Sequence, residues 1–248
     1  MGKVKILNAF QLKLLMAFLM LLDHLRYIHG LMAPETAAVL TLISRCVAPM
    51  FAYLAVEGIR HTRNLKKYCQ RLAVWAAVVY IGNTILNRLF RIISAGSLPD
   101  AERALLYRNS NAIFTLALGT IGIALILWGK RQKTSAGKGI CYVLSVMVFF
   151  GGFLYGEWGS VVLPFMYIEY FLRDKRVLRL SGYVLTEITA VLIPWGEPFW
   201  FFVFPFMFLY NGKRGPKTKF SKNFFYLFYP VHLWVIAILN FLMIMGKI

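Results

Sequence analysis

The chain is short of acid. Ten Asp and Glu stand against 28 Lys and Arg in 248 residues, and all charged residues together make up only 15%, where soluble domains hold about a quarter. With 59% of residues hydrophobic and a mean hydropathy of +0.64, a water-soluble globule is excluded. No single core of this size could hide six Trp, 13 Tyr and 21 Phe. Cysteine is scarce as well. Cys46, Cys69 and Cys141 lie in or beside apolar stretches with neither CxxC nor His spacing, so no metal site and no disulfide framework is expected; small buried hydrophobes is the reading. A P-loop, GxSxG, HExxH or dinucleotide glycine fingerprint is also missing. No Ser/Gly/Pro-rich linker divides the chain, which reads as one domain over 1–248. No fixed-period or inverted repeat is visible, which weakens a secondary-transporter reading. A cleavable signal is not expected, because Asp23 and His24 occupy the place of a small-residue cleavage site.

What is present is a series of long apolar runs. They fall near 12–30, 36–58, 71–90, 111–129, 139–155, 158–172, 178–194, 197–210 and 224–246, each of a length or nearly so to cross a bilayer. The expected fold is therefore all-α: a polytopic transmembrane bundle of about nine spanning helices. The basic residues set its orientation. With the N-terminus cytoplasmic, the inner segments are Lys3, Lys5 and Lys13, then RHTRNLKKYCQR, KRQKTSAGK, RDKRVLR and NGKRGPKTKFSK, together 21 of the 28 basic residues. The outer connections are short, GEWG and PWGEP, apart from a loop over about 91–110 in which Asp100 and Glu102 offset Arg103 and Arg108. The net charge of +18 is thereby explained by topology and by anionic lipid headgroups, not by nucleic acid.

Charges inside the runs need a partner or a task, since each costs about 2.5–3.5 kcal/mol on insertion scales. The first run carries Asp23, His24 and Arg26, the second Arg45 and Glu57, the third Asn83 and Asn87, and the last His232. At about 1.5 Å per residue, His24, Arg45 and Asn83 lie at similar depths, roughly 10–13 Å from the outer ends of their helices. One polar cavity could hold them with Asp23. A neutral His24 can act as general base, Asp23 can orient it, and Arg45 or Asn83 can stabilise an oxyanion, a set suited to acyl transfer. The alternative is that Asp23 pairs with Arg26 or Arg45 to hold helices together. At the inner surface Glu57 is followed by Arg60, His61, Arg63, Lys66 and Lys67, a patch able to hold the phosphates of a nucleotide-like donor or simply to satisfy topology. His232, two residues after Pro230, either packs helices or lines a donor channel.

Several stretches together carry a resemblance: LKLLMAFLMLLDHLRYI, SRCVAPMFAYLAVEGIRHTRNLKKYCQRL, NAIFTLALG, FLYNGKRG and FFYLFYPVHLW. In combination they resemble the TraX family of membrane acetyltransferases, and more distantly the acyltransferase-3 class. The matching positions are Asp23 and His24, Pro49, Glu57 and Gly58, Thr62 and Tyr68, Asn111, Asn211 and Gly212, and Tyr229 to His232. The resemblance implies an enzyme of a bacterial plasma membrane that moves an acetyl group from cytoplasmic acetyl-CoA to an amine or hydroxyl acceptor. In that expectation His24 is the base and Asp23 orients it, while Arg45, Asn83, Arg26 and Glu57 serve the substrates. Arg60, His61, Arg63, Lys66 and His232 then face the CoA. The competing expectations are a transporter or channel with an intramembrane proton or solute site, and a structural membrane subunit. The last is favoured if the charges of Asp23, Arg45 and Glu57 prove paired and closed off from water.

Overall fold

A computed structural model describes residues 6–99, 102, 103, 105, 106, 109–194, 196 and 198–246. Lys3, Lys5, Asp100, Arg108 and Glu197, which enter the topology argument, lie outside the described residues. Helices follow the apolar runs: α1 Ala9–His24, continued by a 3-10 turn Leu25–Tyr27; α2 Pro34–Ser44; α3 Val47–His61; α4 Leu65–Ile93; α5 Ala112–Gly129; α6 Ser135–Tyr155; α7 Gly159–Phe171; α8 Arg176–Leu192; α9 Phe204–Leu209, after a 3-10 turn Trp200–Val203; and α10 Lys219–Ile244. Local chemistry starts several of them. Asn8 caps α1 by accepting from the N–H groups of Phe10 and Gln11, while Gln11 Oε1 accepts from the Asn8 N–H. Pro34 opens α2, and the hydroxyls of Thr134 and Thr218 cap α6 and α10.

Among the described residues, five stretches are long and apolar enough to cross a membrane: Pro34–His61, Leu65–Ile93, Ala112–Gly129, Ser135–Tyr155 and Lys219–Ile244. About nine spanning helices are expected from the sequence; these five meet the length and hydropathy of a full span by themselves, and the remaining helices are shorter. Apolar runs overrun their helices: the first ends as a helix at His24, leaving α1 with 16 residues, about 24 Å, and the run near 197–210 breaks into a 3-10 turn and the six residues of α9. Within Pro34–His61 a turn at Arg45 and Cys46 separates α2 from α3.

The chain divides into two compact units. The first comprises residues 1–47, 77–110 and 208–248. Here α1 packs on α2 and on α10, and residues 6–9 lie beside the 209–213 segment through a parallel bridge between Leu7 and Tyr210. Phe90 on α4 and Phe241 on α10 stack with ring centroids 4.6 Å apart, in a cluster with Leu106 and Ala237. Gly82 on α4 lets the Trp234 indole lie where a Cβ would stand, 2.0 Å away.

The second unit comprises residues 48–76 and 111–207. Its α5, α6 and α7 pack tightly because α5 is lined with glycine: Gly119 faces Met166 and Gly122 faces the Tyr167 hydroxyl. Ser145 Oγ on α6 donates to the Gly122 carbonyl and lies 3.1 Å from the same Tyr167 hydroxyl. A buried aromatic group of Phe165, Tyr183 and Trp200 closes the core, with Phe204 against it. Helix α8 is patterned inside out. Val177, Val184, Leu185, Ile188 and Val191 point outward and are exposed, whereas Tyr183 and Thr186 are buried. In water that pattern would forfeit hydrophobic burial; in lipid it is the stable one.

Candidate functional site

In the first unit the bend from α1 into its 3-10 turn brings His24 against His232 of α10. Nδ1 of His24 lies 2.9 Å from Nε2 of His232, and the rings are parallel within 5° at a centroid separation of 5.1 Å. Both residues are buried. Nδ1 of His232 is 2.8 Å from the Phe228 carbonyl one turn earlier, and the Phe228 ring stacks on His232 at 4.7 Å. A carbonyl only accepts. The proton of the neutral His232 is therefore on Nδ1, its Nε2 is an acceptor, and His24 donates from Nδ1.

Asp23 turns to other partners. Its Oδ1 accepts from Arg26 Nε at 3.1 Å and from the Thr41 hydroxyl at 3.0 Å. Arg26 also donates to the Tyr27 hydroxyl at 2.7 Å and lies over that ring. Arg45, at the end of α2, lies within electrostatic reach of Asp23, Arg26 and Tyr27. The Asp23 group thus forms an ion-pair cluster beside the histidines, and Nδ1 of His24, the atom an orienting carboxylate would engage, faces His232.

Asn83 is a joint between three segments. Its Nδ2 donates to the Ser110 carbonyl at 3.0 Å, and its Oδ1 accepts from Trp234 Nε1 at 3.1 Å. With Leu86, Asn87, Ser110, Leu233, Trp234 and Ala237 it lines a cavity of about 10 Å³, room for about one water. Neither His24 nor His232 lines that cavity.

Glu57, Arg60, His61, Arg63 and Lys66 belong to the second unit. Glu57, 6% exposed, pairs with Arg173 and lies 3.6 Å from Nε2 of the exposed His61. Burial works against the Arg173 charge, but the hydrogen bond and charge of Glu57 outweigh it and hold the guanidinium above its ordinary pKa. Arg60 caps the C-terminal end of α7, donating to the carbonyls of Tyr170 at 2.8 Å and Glu169 at 3.4 Å, and lies over the Tyr170 ring. Arg63 and Lys66 are exposed at the α3–α4 turn. Glu169, an acid outside the expected site residues, is buried near the end of α7, accepts from the Tyr183 hydroxyl and has Arg179 Nη1 at 3.9 Å. Its signal in the sequence is an acid in an apolar run, followed by Arg173 and Arg179 in the next loop and helix.

These contacts also fix which loops share an end. Arg60 and Glu57 tie the end of α3 to the α7–α8 loop, and Lys130 lies over the Phe171 ring at 5.8 Å. The α3–α4, α5–α6 and α7–α8 connections, all basic, therefore gather at one end of the second unit. In the first unit, Lys13 lies over the Phe225 ring at 5.4 Å and Gly215 meets Asn8. The start of α1 and the basic segment before α10 share an end likewise.

The class so defined is a helical protein with several helices long and apolar enough to cross a membrane, in which Asp23 pairs with Arg26 and Glu57 with Arg173. The chain matches the family model described as TraX protein over residues 9–240, and it belongs to that family. It is similar to a probable fimbrial assembly protein, FimC of serogroup H1, from Dichelobacter nodosus, 27% identical over 240 residues that cover 91% of this chain and 93% of that one. No solved structure matches. These findings correct the activity expected from the sequence. The relative's name places it in fimbrial assembly and names no acetyl transfer, so the acetyltransferase reading is withdrawn, and the expectation of acetyl-CoA loses the reaction it rested on.

Proposed function

We propose that this chain is a multi-pass protein of a bacterial plasma membrane that takes part in assembling fimbriae. The observation that carries the proposal is likeness over nearly the full length of both chains to a probable fimbrial assembly protein. Paired charges support a scaffolding part in that process. Asp23 accepts from Thr41 of α2 and Glu57 pairs with Arg173 of the α7–α8 loop, so these two acids link neighbouring segments.

In this reading residues 1–248 act as one domain, supported by a family match that runs through both compact units. The N-terminus is cytoplasmic, because the basic connections gather at one end of each unit. Deleting the gene in its own host and counting surface fimbriae by electron microscopy tests the function. Loss of fimbriae, restored by the intact gene, is the expected outcome; normal fimbriation in the deletion strain would overturn it.

A further inference from the structure

The histidine pair has a property that no role in holding helices requires. Three groups in a row are fixed: the Phe228 carbonyl, the His232 ring and the His24 ring, linked at 2.8 Å and 2.9 Å. With Nδ1 of His232 committed as a donor, the contact between the rings has room for one hydrogen. Two N–H groups facing each other at 2.9 Å would clash, so the contact breaks if both rings are protonated.

We propose that His24 and His232 form a proton-binding site that takes one proton for the two rings, and that this proton enters and leaves through Nε2 of His24. In the neutral pair His24 carries its hydrogen on Nδ1, and its Nε2 is an acceptor. After uptake of one proton there are two arrangements. Either His24 is the imidazolium and still donates from Nδ1, or His232 is the imidazolium and donates from Nε2 to His24. In both, His24 carries a hydrogen on Nε2. Where the bridging hydrogen rests is immaterial to the surroundings: Nε2 of His24 changes from acceptor to donor, and the positive charge is shared across α1 and α10.

The elements packed here bear Asp23 and Arg26 on α1 and its 3-10 turn, Tyr27 beside them, Arg45 at the end of α2 and Tyr229 on α10. Asp23 faces two arginines, and these three groups sum to one positive charge. That environment opposes a second proton and does not compensate for it. The site takes up and releases single protons, independent of whether the chain serves fimbrial assembly.

The test uses the full-length protein in lipid bilayers, with ¹⁵N in the histidine rings, followed by NMR through a pH titration. The variant His232→Gln serves only to assign the resonances of the four histidines. A ¹⁵N–¹⁵N coupling between His24 Nδ1 and His232 Nε2 is expected in the neutral and singly protonated states. His232 Nδ1 stays protonated throughout, and His24 Nε2 is the nitrogen that gains the hydrogen. A second proton is expected only together with loss of the coupling. Absence of the coupling in the neutral protein, or a hydrogen gained at His232 Nδ1, overturns the proposal. The wild-type spectra decide this even if the variant fails to fold.

Discussion

Arg173, in the loop between α7 and α8, closes the charge of Glu57 on α3. Glu57 is almost fully buried, with a side-chain exposure of 7% against 33% for Arg173. The pair is therefore asymmetric: removing the arginine strands a charge in the interior, whereas removing the acid frees an arginine that can reach water. Arg173→Met is expected to destabilise the protein by roughly 1–3 kcal/mol, less than the ~3–5 kcal/mol of a fully buried pair because the arginine is partly solvated. Glu57→Gln should cost less, and the double variant should recover part of the loss. Thermal unfolding in detergent measures this; equal effects of the two single changes would contradict the asymmetry.

Close approach at Gly82 supplies a second prediction. A Cβ there would stand 2.0 Å from the Trp234 ring, and Trp234 is held by its hydrogen bond to Asn83, so the indole cannot swing aside without stranding a buried polar atom. Gly82→Ala is expected to lower stability by about 1–3 kcal/mol through overpacking. Gly139, which has open space at its Cβ position, is the control. Gly139→Ala should be neutral or slightly stabilising in the same melting experiment, since alanine favours helix over glycine.

Helix placement was legible because lipid-facing and core-facing residues are both apolar, which leaves long runs that polar loops interrupt. Helix ends were less legible for the same reason: the run from Leu12 to Gly30 continues through the 3-10 turn that ends α1. Charge pairing was read in part. The alternative of Asp23 with Arg26 needs only a helical spacing of three residues, which a sequence displays directly. His24 with His232 spans 208 residues, and Asn83 with Trp234 spans 151; neither follows from periodicity. Depth arithmetic put His24 and Asn83 at one level, yet level does not fix azimuth. Asn83 turned to the indole and the Ser110 carbonyl, and His24 to α10.

The inverted pattern of α8 gives a test of what surrounds it. Leu185 lies on the exposed face, next to Val184 and about one turn from Ile188. If that face meets hydrocarbon, Leu185→Lys costs up to about 2.5–3.5 kcal/mol near the bilayer centre. It should reduce the yield of folded protein in membranes. On a water-facing helix the same change would be silent. Undiminished yield and an unchanged melting temperature would mean that the outer face of α8 is not in lipid.

Sidedness is open to a direct chemical test. The α5–α6 loop and the α7–α8 loop share an end with the α3–α4 turn, whereas the α6–α7 turn at Gly156 and Glu157 lies one helix length away, since α6 is 21 residues long, about 31 Å. Single cysteines at Lys133, Lys175 and Glu157, in a background with Cys46, Cys69 and Cys141 replaced, separate the two faces. With the N-terminus inside, a membrane-impermeant thiol reagent added to whole cells should label the Glu157→Cys protein and spare the other two. In inverted vesicles the pattern should reverse. Labelling of Lys133→Cys or Lys175→Cys from outside would invert the topology, since a basic loop on the outer face violates the charge bias that orients such chains.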